Sequence, residues 1–514
     1  MFVLLILSLA LIAYIFFEFK KELIELYQLN RKCVVNLKKL EGPPHLPIIG
    51  SAHLFKWNNL EFTQQLEEWG RTYLFGVDPS KYSDKDDNGA HFKEGHIGIM
   101  PVWIGPVPVV FLGTHESIRP VLESTVNISK PAQYNKNYGM DRFGASDKHP
   151  RKMNYYPIFV TQGEILTDML EKHCGEEDFF DCFGYVKRCA LDIICETAMG
   201  TQVNAQIGEN NTYVKAVERV SEIIWDHERF PWYWLKPIWY LSGMGHEFHR
   251  NVKLTTDFTR TVIAERKAAL KEMDDPLNDV KNGSKMAFLD LMLKMQEENQ
   301  LTDEDIREEV DTFMFEGHDT TASSMGFTMM WLGLFPECQK KLHEELDSVF
   351  GDSDRPPTMD DIKKLVYLEK CIKEALRLFP SVPIIARRLS EDCFIDHPRH
   401  GKICLPSGLT VAVAPLATSR DPRYYEKPDE FNPEHFNADQ VSKRDPYTYI
   451  PFSAGSRNCI GQKFAITEEK VVLSWVFRRF SVESENSYEN LRPVPELILR
   501  PSNGIKIKIK KREF

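Results

Sequence analysis

The sequence predicts a mainly α-helical protein with a small β-region, attached to a membrane by an N-terminal anchor helix. Helical periodicity dominates from residue 155 to about residue 266, and a long apolar helical stretch follows from Thr302. Runs of apolar β-branched residues are short by comparison and occur in only a few places. Residues 1–17 are almost wholly apolar. These observations together indicate one large helical domain behind a short membrane segment.

The first domain, residues 1–19, is the expected transmembrane anchor. Within residues 1–17 only Ser8 and Tyr14 carry polar groups, and this length is at the short end of a membrane span. The alternative, a cleaved signal peptide, lacks both a basic residue before the apolar run and a small-residue cleavage site after it. Basic residues follow the run: Lys20, Lys21, Arg31, Lys32, Lys38 and Lys39. The positive-inside rule then places the N-terminus in the lumen and the bulk of the chain in the cytosol.

The second domain, residues 20–50, is predicted to hold a basic amphipathic helix at 22–40 and a proline-rich segment at 42–47. Proline makes that segment extended and stiff, so it is either a rigid hinge or an ordinary linker. The third domain, residues 51–514, starts with a helix at 61–72. Residues 97–112 are rich in valine, isoleucine and proline, which predicts short edge strands.

Composition excludes several classes of function. The 514 residues have a net charge of −11 and no strongly basic domain, so a nucleic-acid partner is not expected. The ten cysteines show no C-x-x-C spacing, which argues against a zinc site and suits reduced thiols in a cytosol-facing protein. Aromatic residues cluster at 230–234. We interpret this cluster either as part of the core at a helix junction or as a patch that faces substrate or membrane. Residues 274–285 are polar and predict an exposed loop.

One cysteine stands in an unusual setting. Cys459 lies between Gly455 and Gly461, and helix-forming residues follow from position 462. A lone cysteine is usually a small buried hydrophobe. Here, however, the following helix start directs amide groups and a positive dipole end at the sulfur, so we expect a lowered pKa and a thiolate. The glycines permit close approach of a flat ligand, and Phe452 is placed to shield the sulfur.

A long helix is predicted between Thr302 and Pro336. Thr302 and Asp305 form a capping-box-like start, and Pro336 ends the helix after roughly 50 Å. Its interior contains the polar run Glu-Gly-His-Asp-Thr-Thr at 316–321. Thr320 is expected to hydrogen-bond back to a backbone carbonyl, which would loosen the helix locally and open a groove.

A further helix is predicted at 361–379. It carries Glu374 and Arg377, which lie three residues apart on one face and can form an ion pair. Strands are expected at 382–388 and 403–413, the second interrupted by a turn at Pro406 and Gly408. Residues 505–511 alternate apolar and basic residues, which indicates a terminal edge strand protected by lysines.

The cysteine loop resembles the haem-binding signature of the cytochrome P-450 superfamily, Phe-x-x-Gly-x-Arg-x-Cys-x-Gly. Phe452, Gly455, Arg457, Cys459 and Gly461 fill every specified position. The rival interpretation, a phosphate-binding loop, fails because no Gly-Lys-Ser/Thr follows. The resemblance implies the fold of that family, with Cys459 as the axial thiolate ligand of haem iron.

The polar run in the long helix resembles the oxygen-activation motif of the same superfamily. The resemblance implies that Thr320 hydrogen-bonds bound dioxygen and that Asp319 belongs to the proton-delivery chain. Glu316 is similar to the glutamate of the fatty-acid ω-hydroxylase branch, family 4, which can form an ester to a haem methyl group. A carboxylate there would otherwise be a costly buried charge.

Other parts of the chain resemble structural motifs of the family. Glu374 and Arg377 match its Glu-x-x-Arg pair, and His435 stands where the third partner is usually arginine. His435 can still donate a hydrogen bond, with a charge that depends on pH. Arg387 and Arg457 are the basic residues that the match assigns to haem propionates, since arginine suits carboxylates.

One motif of the family is missing. Members carry Trp-x-x-x-Arg on a propionate-binding helix, but no tryptophan occurs between Trp103 and Trp225. Part of that helix therefore looks deleted near residues 149–155. His149 and Arg151 are candidates to substitute for it in part.

The resemblance implies a haem b-dependent monooxygenase that inserts one oxygen atom of dioxygen into a C–H bond of a fatty-acid-like lipid. Electrons would come from NADPH through NADPH–cytochrome reductase, with a b-type cytochrome as a further donor. The expected location is the endoplasmic reticulum membrane, single-pass, with the catalytic domain facing the cytosol. Two alternatives stay open: a membrane-bound haem protein with little turnover because of the deletion, and an enzyme that rearranges peroxides.

Overall fold

The computed structural model describes residues 20–77, 95–131, 155–208, 212–272, 287–298, 300–485 and 493–512. In chain order its α-helices are α1 (Lys20–Leu37), α2 (Asn59–Trp69), α3 (His115–Leu122), α4 (Tyr156–Glu171), α5 (Phe183–Ile194), α6 (Thr212–Arg229), α7 (Lys236–Leu241), α8 (Met244–Glu272), α9 (Phe288–Glu297), α10 (Asp303–Leu334), α11 (Pro336–Phe350), α12 (Met359–Lys364), α13 (Val366–Leu378), α14 (Pro415–Thr418), α15 (Ala438–Val441) and α16 (Gln462–Arg479). The β-strands are β1 (Ile99–Ile104), β2 (Val107–Leu112), β3 (Phe180–Asp181), β4 (Ile385–Arg388), β5 (Cys393–His397), β6 (Gly401–Leu405), β7 (Thr410–Val413), β8 (Phe480–Ser484), β9 (Pro493–Val494), β10 (Arg500–Pro501) and β11 (Lys506–Lys511). The chain is mainly helical with small sheets, as the sequence predicts.

The long helix α10 is the centre of the fold. Thr302 caps it by accepting a hydrogen bond from the Asp305 amide, while the Asp305 carboxylate accepts one from the Thr302 amide. Its 32 residues span about 48 Å, and it stops at Leu334 just before Pro336. Its C-terminal half is almost entirely buried in a core shared with α4, α5, α11, α13 and α16. The predicted cap, length and stop of this helix are therefore confirmed.

The sheets differ from the predicted edge strands in two places. The four-stranded sheet has the order β1-β2-β7-β4, so β1 is an edge but β2 is internal. Pro108 is tolerated in β2 because the parallel pairing with β7 begins only at Val109. The terminal strand β11 lies between β3 and β8, so it is not an edge strand. Pairing with β3 involves only Lys506 and Ile507, and the remaining residues of β11 pair with β8 alone.

The described N-terminal region is helical and then extended. Helix α1 confirms the predicted helix, and it buries Cys33 and Leu37. The proline-rich segment is fixed to β1: the ring of His45 stacks on Trp103, and a Cβ at Gly42 would meet the Pro101 carbonyl oxygen. The predicted anchor at 1–19 lies outside the described residues. Within the described ranges we find no helix long and apolar enough to cross a bilayer.

The aromatic cluster at 230–234 lies at a helix junction. Pro231–Trp234 forms a 3₁₀ turn between α6 and α7, and the buried Phe230 stacks against both Trp57 and Trp232. This arrangement confirms the helix-junction interpretation. The loop predicted at 274–285, the candidates His149 and Arg151, and the apparent deletion near 149–155 lie outside the described residues, apart from Tyr155 itself.

Candidate functional site

The Cys459 loop is held in one conformation by its backbone. The Cys459 amide donates a hydrogen bond of 2.9 Å to the Phe452 carbonyl, which closes the loop. Gly455 has a φ of 75°, and a Cβ there would lie only 1.9 Å from the Leu122 carbonyl oxygen, so no other residue fits. A Cβ at Gly461 would face the Cys459 sulfur at 3.8 Å, so glycine keeps this side of the sulfur clear.

The Cys459 thiol has accessible surface but is closely surrounded by protein. Burial by the surrounding protein raises its pKa. Amide hydrogen bonds from Gly461 and Gln462 act in the opposite direction but do not outweigh burial. The expected lowering of the pKa is therefore wrong for the protein chain by itself. A bound metal cation removes that thiol proton outright, because it stabilises the thiolate directly.

Glu316 on α10 lies in the neighbourhood of Cys459. The side chain is exposed while protein surrounds it, and burial raises its pKa, with a smaller opposing effect of the Lys130 charge. The Glu316 charge also raises the pKa of Cys459, so the two groups lie within electrostatic reach of one another. A sulfur donor and a carboxyl group thus lie near one another. The sulfur is a donor that suits an iron cofactor.

The oxygen-motif segment of α10 contains a run of side chains bonded back to the helix. The Thr320 hydroxyl donates to the Glu316 carbonyl at 2.6 Å, as the sequence predicts. Thr321 donates in the same way to the Gly317 carbonyl at 3.0 Å. Gly317 is required for a different reason, because a Cβ there would lie 2.6 Å from the side chain of Ile194 on α5. The groove predicted beside Thr320 stays a prediction.

Asp319 is held by two buried cations that sequence reasoning missed. Its carboxylate contacts Arg500 at 2.8 Å and Lys187 at 3.3 Å, and all three side chains are at least nine-tenths buried. Burial opposes ionisation, but the Arg500 and Lys187 charges keep the pKa of Asp319 well below its ordinary value. Asp319 is therefore ionised and holds no proton of its own to donate. The role assigned to it in proton delivery remains a prediction, with this constraint.

The two predicted propionate-binding arginines are close together. Arg387 on β4 is buried, and its guanidinium donates to the Arg457 carbonyl at 3.4 Å. The Arg457 guanidinium donates to the Ile128 carbonyl at 3.3 Å. Lys130, two residues further along, is the cation whose charge acts on Glu316. Three cations therefore gather beside the site, and Lys130 was missed because it belongs to no motif.

Glu374, Arg377 and His435 form the predicted structural cluster. Glu374 and Arg377 are completely buried and joined by two hydrogen bonds of 2.8 Å. His435 approaches the Glu374 carboxylate through Nδ1 at 3.0 Å and the Glu426 carbonyl through Nε2 at 2.8 Å. Both oxygens are acceptors, so both ring nitrogens must carry hydrogen, as in an imidazolium. His435 thus serves as the third, positively charged member of this cluster, at the position where arginine is usual.

The charge balance of that cluster follows from its contacts. Burial opposes ionisation of Glu374, but Arg377 and His435 hold the pKa of its carboxyl below the ordinary value. Arg377 also donates to the carbonyls of Ser419, Pro428 and Glu430. The cluster therefore fixes α13 to the segment that leads to the Cys459 loop.

A protein-family comparison places these features in context. The family model described as Cytochrome P-450 matches residues 140–509. The chain is similar to cytochrome P-450 4V2 of Homo sapiens, with 43% identity over 491 residues that cover 91% of this chain and 88% of the relative. It is also similar to cytochrome P-450 4c3 of Drosophila melanogaster, with 37% identity over 94% of this chain and 91% of the relative. Cytochrome P-450 4d1 of Drosophila simulans is 32% identical over 95% of this chain and 96% of the relative.

Proposed function

Because this chain belongs to the cytochrome P-450 family, in its family 4 branch, and is a haem monooxygenase of lipophilic substrates, we propose that it hydroxylates fatty-acid-like lipids near the chain end. The proposal is carried by Glu316, the carboxyl group whose charge acts on the Cys459 thiol. Most members of the superfamily have a small residue at that position, and the fatty-acid ω-hydroxylases have glutamate. The specific lipid and the position of attack are part of the proposal.

The residues present fit haem b. Cys459 would hold the iron, and the amides of Gly461 and Gln462 would share the negative charge of its sulfur. Arg387 and Arg457 are placed beside each other to bind the propionate carboxylates, which suit the planar guanidinium fork. When bound, haem with a thiolate ligand supplies the chemistry that cleaves the O–O bond of dioxygen.

The protein's own groups control protons on the α10 side of the site. The Thr320 hydroxyl donates its one hydrogen to the Glu316 carbonyl. We propose that it turns from that carbonyl to donate this hydrogen bond to dioxygen, which can only accept. Asp319 is ionised between Arg500 and Lys187, so it has no proton to supply first. Its part in proton delivery is to accept a hydrogen bond from a water molecule and so orient that water.

We propose further that Glu316 becomes ester-linked to a haem methyl group. One C–H bond of the methyl and the O–H bond of the carboxyl break, a C–O bond forms, and the two electrons and two protons released pass to dioxygen, which these and the reductase's two electrons reduce to water. Burial raises the pKa of this carboxyl because it disfavours the charged form, and an ester would remove that charge permanently. Acid denaturation and mass analysis of the protein test the bond. Haem should stay attached to the wild-type chain and should be released from Glu316→Gln. Complete release of haem from the wild type contradicts the ester.

The location and partners remain proposals that surface features support. Ile48, Trp57 and Leu241 are exposed by 81%, 69% and 87%, and Ile48 lies close to Gly105 and Pro231 at the aromatic junction. Large exposed apolar side chains of this kind suit contact with a lipid surface. We propose that the enzyme lies on the endoplasmic reticulum membrane, faces the cytosol and receives electrons from NADPH–cytochrome reductase, with a b-type cytochrome as a further donor.

One experiment tests the function as a whole. The reduced, carbon monoxide-bound spectrum of the full-length protein is recorded, followed by NADPH-dependent hydroxylation of a saturated fatty acid with added reductase. A thiolate-type Soret band that Cys459→Ala abolishes, together with a hydroxylated product, is expected. The same band without product would favour the low-turnover alternative, which the family 4 relatives do not favour. Product formed from a lipid peroxide without reductase would favour the rearranging enzyme.

A further inference from the structure

Two adjacent acidic residues are buried where the helix after Cys459 contacts α10. Glu468 and Glu469 on α16 are each only 1% exposed. Glu468 contacts the Thr321 hydroxyl at 3.1 Å, and Glu469 contacts the Ser324 hydroxyl at 2.6 Å. Neither the proposed haem site nor the Glu374 cluster uses these two carboxyl groups. They join the helix of the thiolate ligand to the helix of the oxygen motif.

No cation balances this pair within the described ranges. The nearest basic residue in sequence, Lys470, binds Glu369 at 3.0 Å instead. Two further titratable groups lie near the pair, the Cys189 thiol of α5 beside Glu468 and the Tyr449 phenol beside Glu469, and burial raises the pKa of both, so neither supplies a positive charge. A buried carboxylate without a counter-ion is strongly unfavourable, and two adjacent carboxylates are worse. At least one of the two carboxyls must therefore keep its proton near neutral pH.

The hydrogen bonds around Thr321 agree with a proton on Glu468. The Thr321 hydroxyl has one hydrogen and two possible acceptors, the Gly317 carbonyl at 3.0 Å and the Glu468 carboxyl at 3.1 Å. Both contacts are hydrogen bonds at the same time when Thr321 donates to the carbonyl and a protonated Glu468 donates to the Thr321 oxygen. Burial raises the pKa of Glu468 well above 4.5 and that of Glu469 to about 8, and their mutual repulsion adds to the shift of Glu468.

We propose that Glu468 and Glu469 are positioning residues that hold α16 against α10 beside Thr320 through retained carboxyl protons. Loss of these protons in alkaline solution places uncompensated charge between the two helices and weakens the joint. The stability that each carboxyl contributes is fully present below the ordinary pKa of 4.5 and is lost as pH rises through the folded-state value, about 8 for Glu469. This inference concerns how the site is held, and it is independent of which lipid is oxidised.

Proton release on unfolding tests the proposal in the full-length holoenzyme. Denaturant is added in weakly buffered solution at pH 7 with an indicator dye, and the protons released are counted for wild type, Glu468→Gln and Glu469→Gln. Each glutamine variant is expected to release about one proton fewer than wild type, because a carboxyl protonated in the folded state ionises in the unfolded chain. Glu344→Gln is the matched control: Glu344 is an exposed helical glutamate, so its variant should release as many protons as wild type.

The pH dependence of stability provides a second measurement. Between pH 6 and pH 8 each retained proton should raise the unfolding equilibrium constant about tenfold per pH unit. Each glutamine variant lacks one such proton, so its unfolding constant should rise about tenfold less per pH unit than that of wild type. Glutamine should preserve folding at neutral pH because it remains a neutral hydrogen-bond donor, whereas Glu468→Ala should not. If both glutamine variants release as many protons as wild type, the carboxyls are ionised and the proposal is wrong. If the variants do not fold, the infrared spectrum of folded wild type is used instead. It should contain the band of a protonated carboxyl group, and the absence of that band overturns the proposal.

Discussion

Replacing Glu374 with glutamine should make the protein much less stable, because the buried guanidinium of Arg377 then loses its counter-ion. Glu374 Oε1 accepts hydrogen bonds from Arg377 Nη2, the Asn432 amide and His435 Nδ1, and Oε2 accepts one from Arg377 Nε. A glutamine oxygen at the first position keeps three of these bonds. Its amide nitrogen then faces the Arg377 Nε hydrogen, so one acceptor becomes a donor that faces another donor.

The magnitude follows from the complete burial of Glu374 and Arg377. Removing one partner of such a buried ion pair costs about 3–5 kcal/mol of stability, since the charge that remains is desolvated and unpaired. Urea titration followed by tryptophan fluorescence measures the free energy of unfolding of wild type and Glu374→Gln. Asp360→Asn is the control, because Asp360 and Lys363 have the same spacing on a helix but are exposed, and this variant should not differ measurably from wild type. A loss below about 1 kcal/mol in Glu374→Gln would refute the reasoning.

Two further predictions concern the cysteine loop and the buried aspartate. Gly455→Ala should lose most bound haem, measured on the purified protein, because a methyl group would displace the Leu122 carbonyl. Gly175 also has a positive φ but lies in open space, so Gly175→Ala should keep its haem and lose only about 1–2 kcal/mol of stability to backbone strain. Asp319→Asn should destabilise the protein by about 1.5–3 kcal/mol at pH 7, because the buried Arg500 and Lys187 each lose one acidic partner. Arg500 keeps its contact with Glu496, and Lys187 keeps its contact with Glu218. Since those cations keep the pKa of Asp319 below its ordinary 3.8, its contribution is complete above that pH and is lost only as pH falls further. In urea titrations the difference between wild type and Asp319→Asn should therefore persist from pH 7 to pH 4 and shrink below it, and a difference that disappears by pH 5 would contradict this.

Local signals account for the parts of the fold that the sequence predicts well. The start of α10 depends on a cap between Thr302 and Asp305, three residues apart, and its end depends on Pro336. Such contacts are formed within a few residues, so their pattern is visible in the chain itself. Strand order is different, because each strand finds its partners far along the sequence. For this reason β2 and β11 were predicted as edges and lie inside their sheets.

The candidate site shows the same division between local and distant contacts. Cys459 and its glycines lie within a few residues of one another, so one contiguous motif identified them. Lys187 and Arg500, which hold Asp319, lie 132 and 181 residues away from it in sequence, and neither has a motif of its own. The pKa of Cys459 was predicted in the wrong direction because the helix start was visible in the sequence and the burial was not.

The sequence by itself determined the chemical identity of the site: a thiol behind a glycine turn, a threonine within a polar helical run, and a glutamate where a small residue is usual. These depend on residue types at short spacings, which the linear chain specifies directly. Only the tertiary structure decided the charge states. It placed Asp319 between two buried cations, gave His435 two acceptors that require two ring protons, and gave Glu468 and Glu469 no counter-ion among the residues that the structure describes. Protonation depends on burial and on neighbours that are distant in sequence, and folding alone brings those neighbours together.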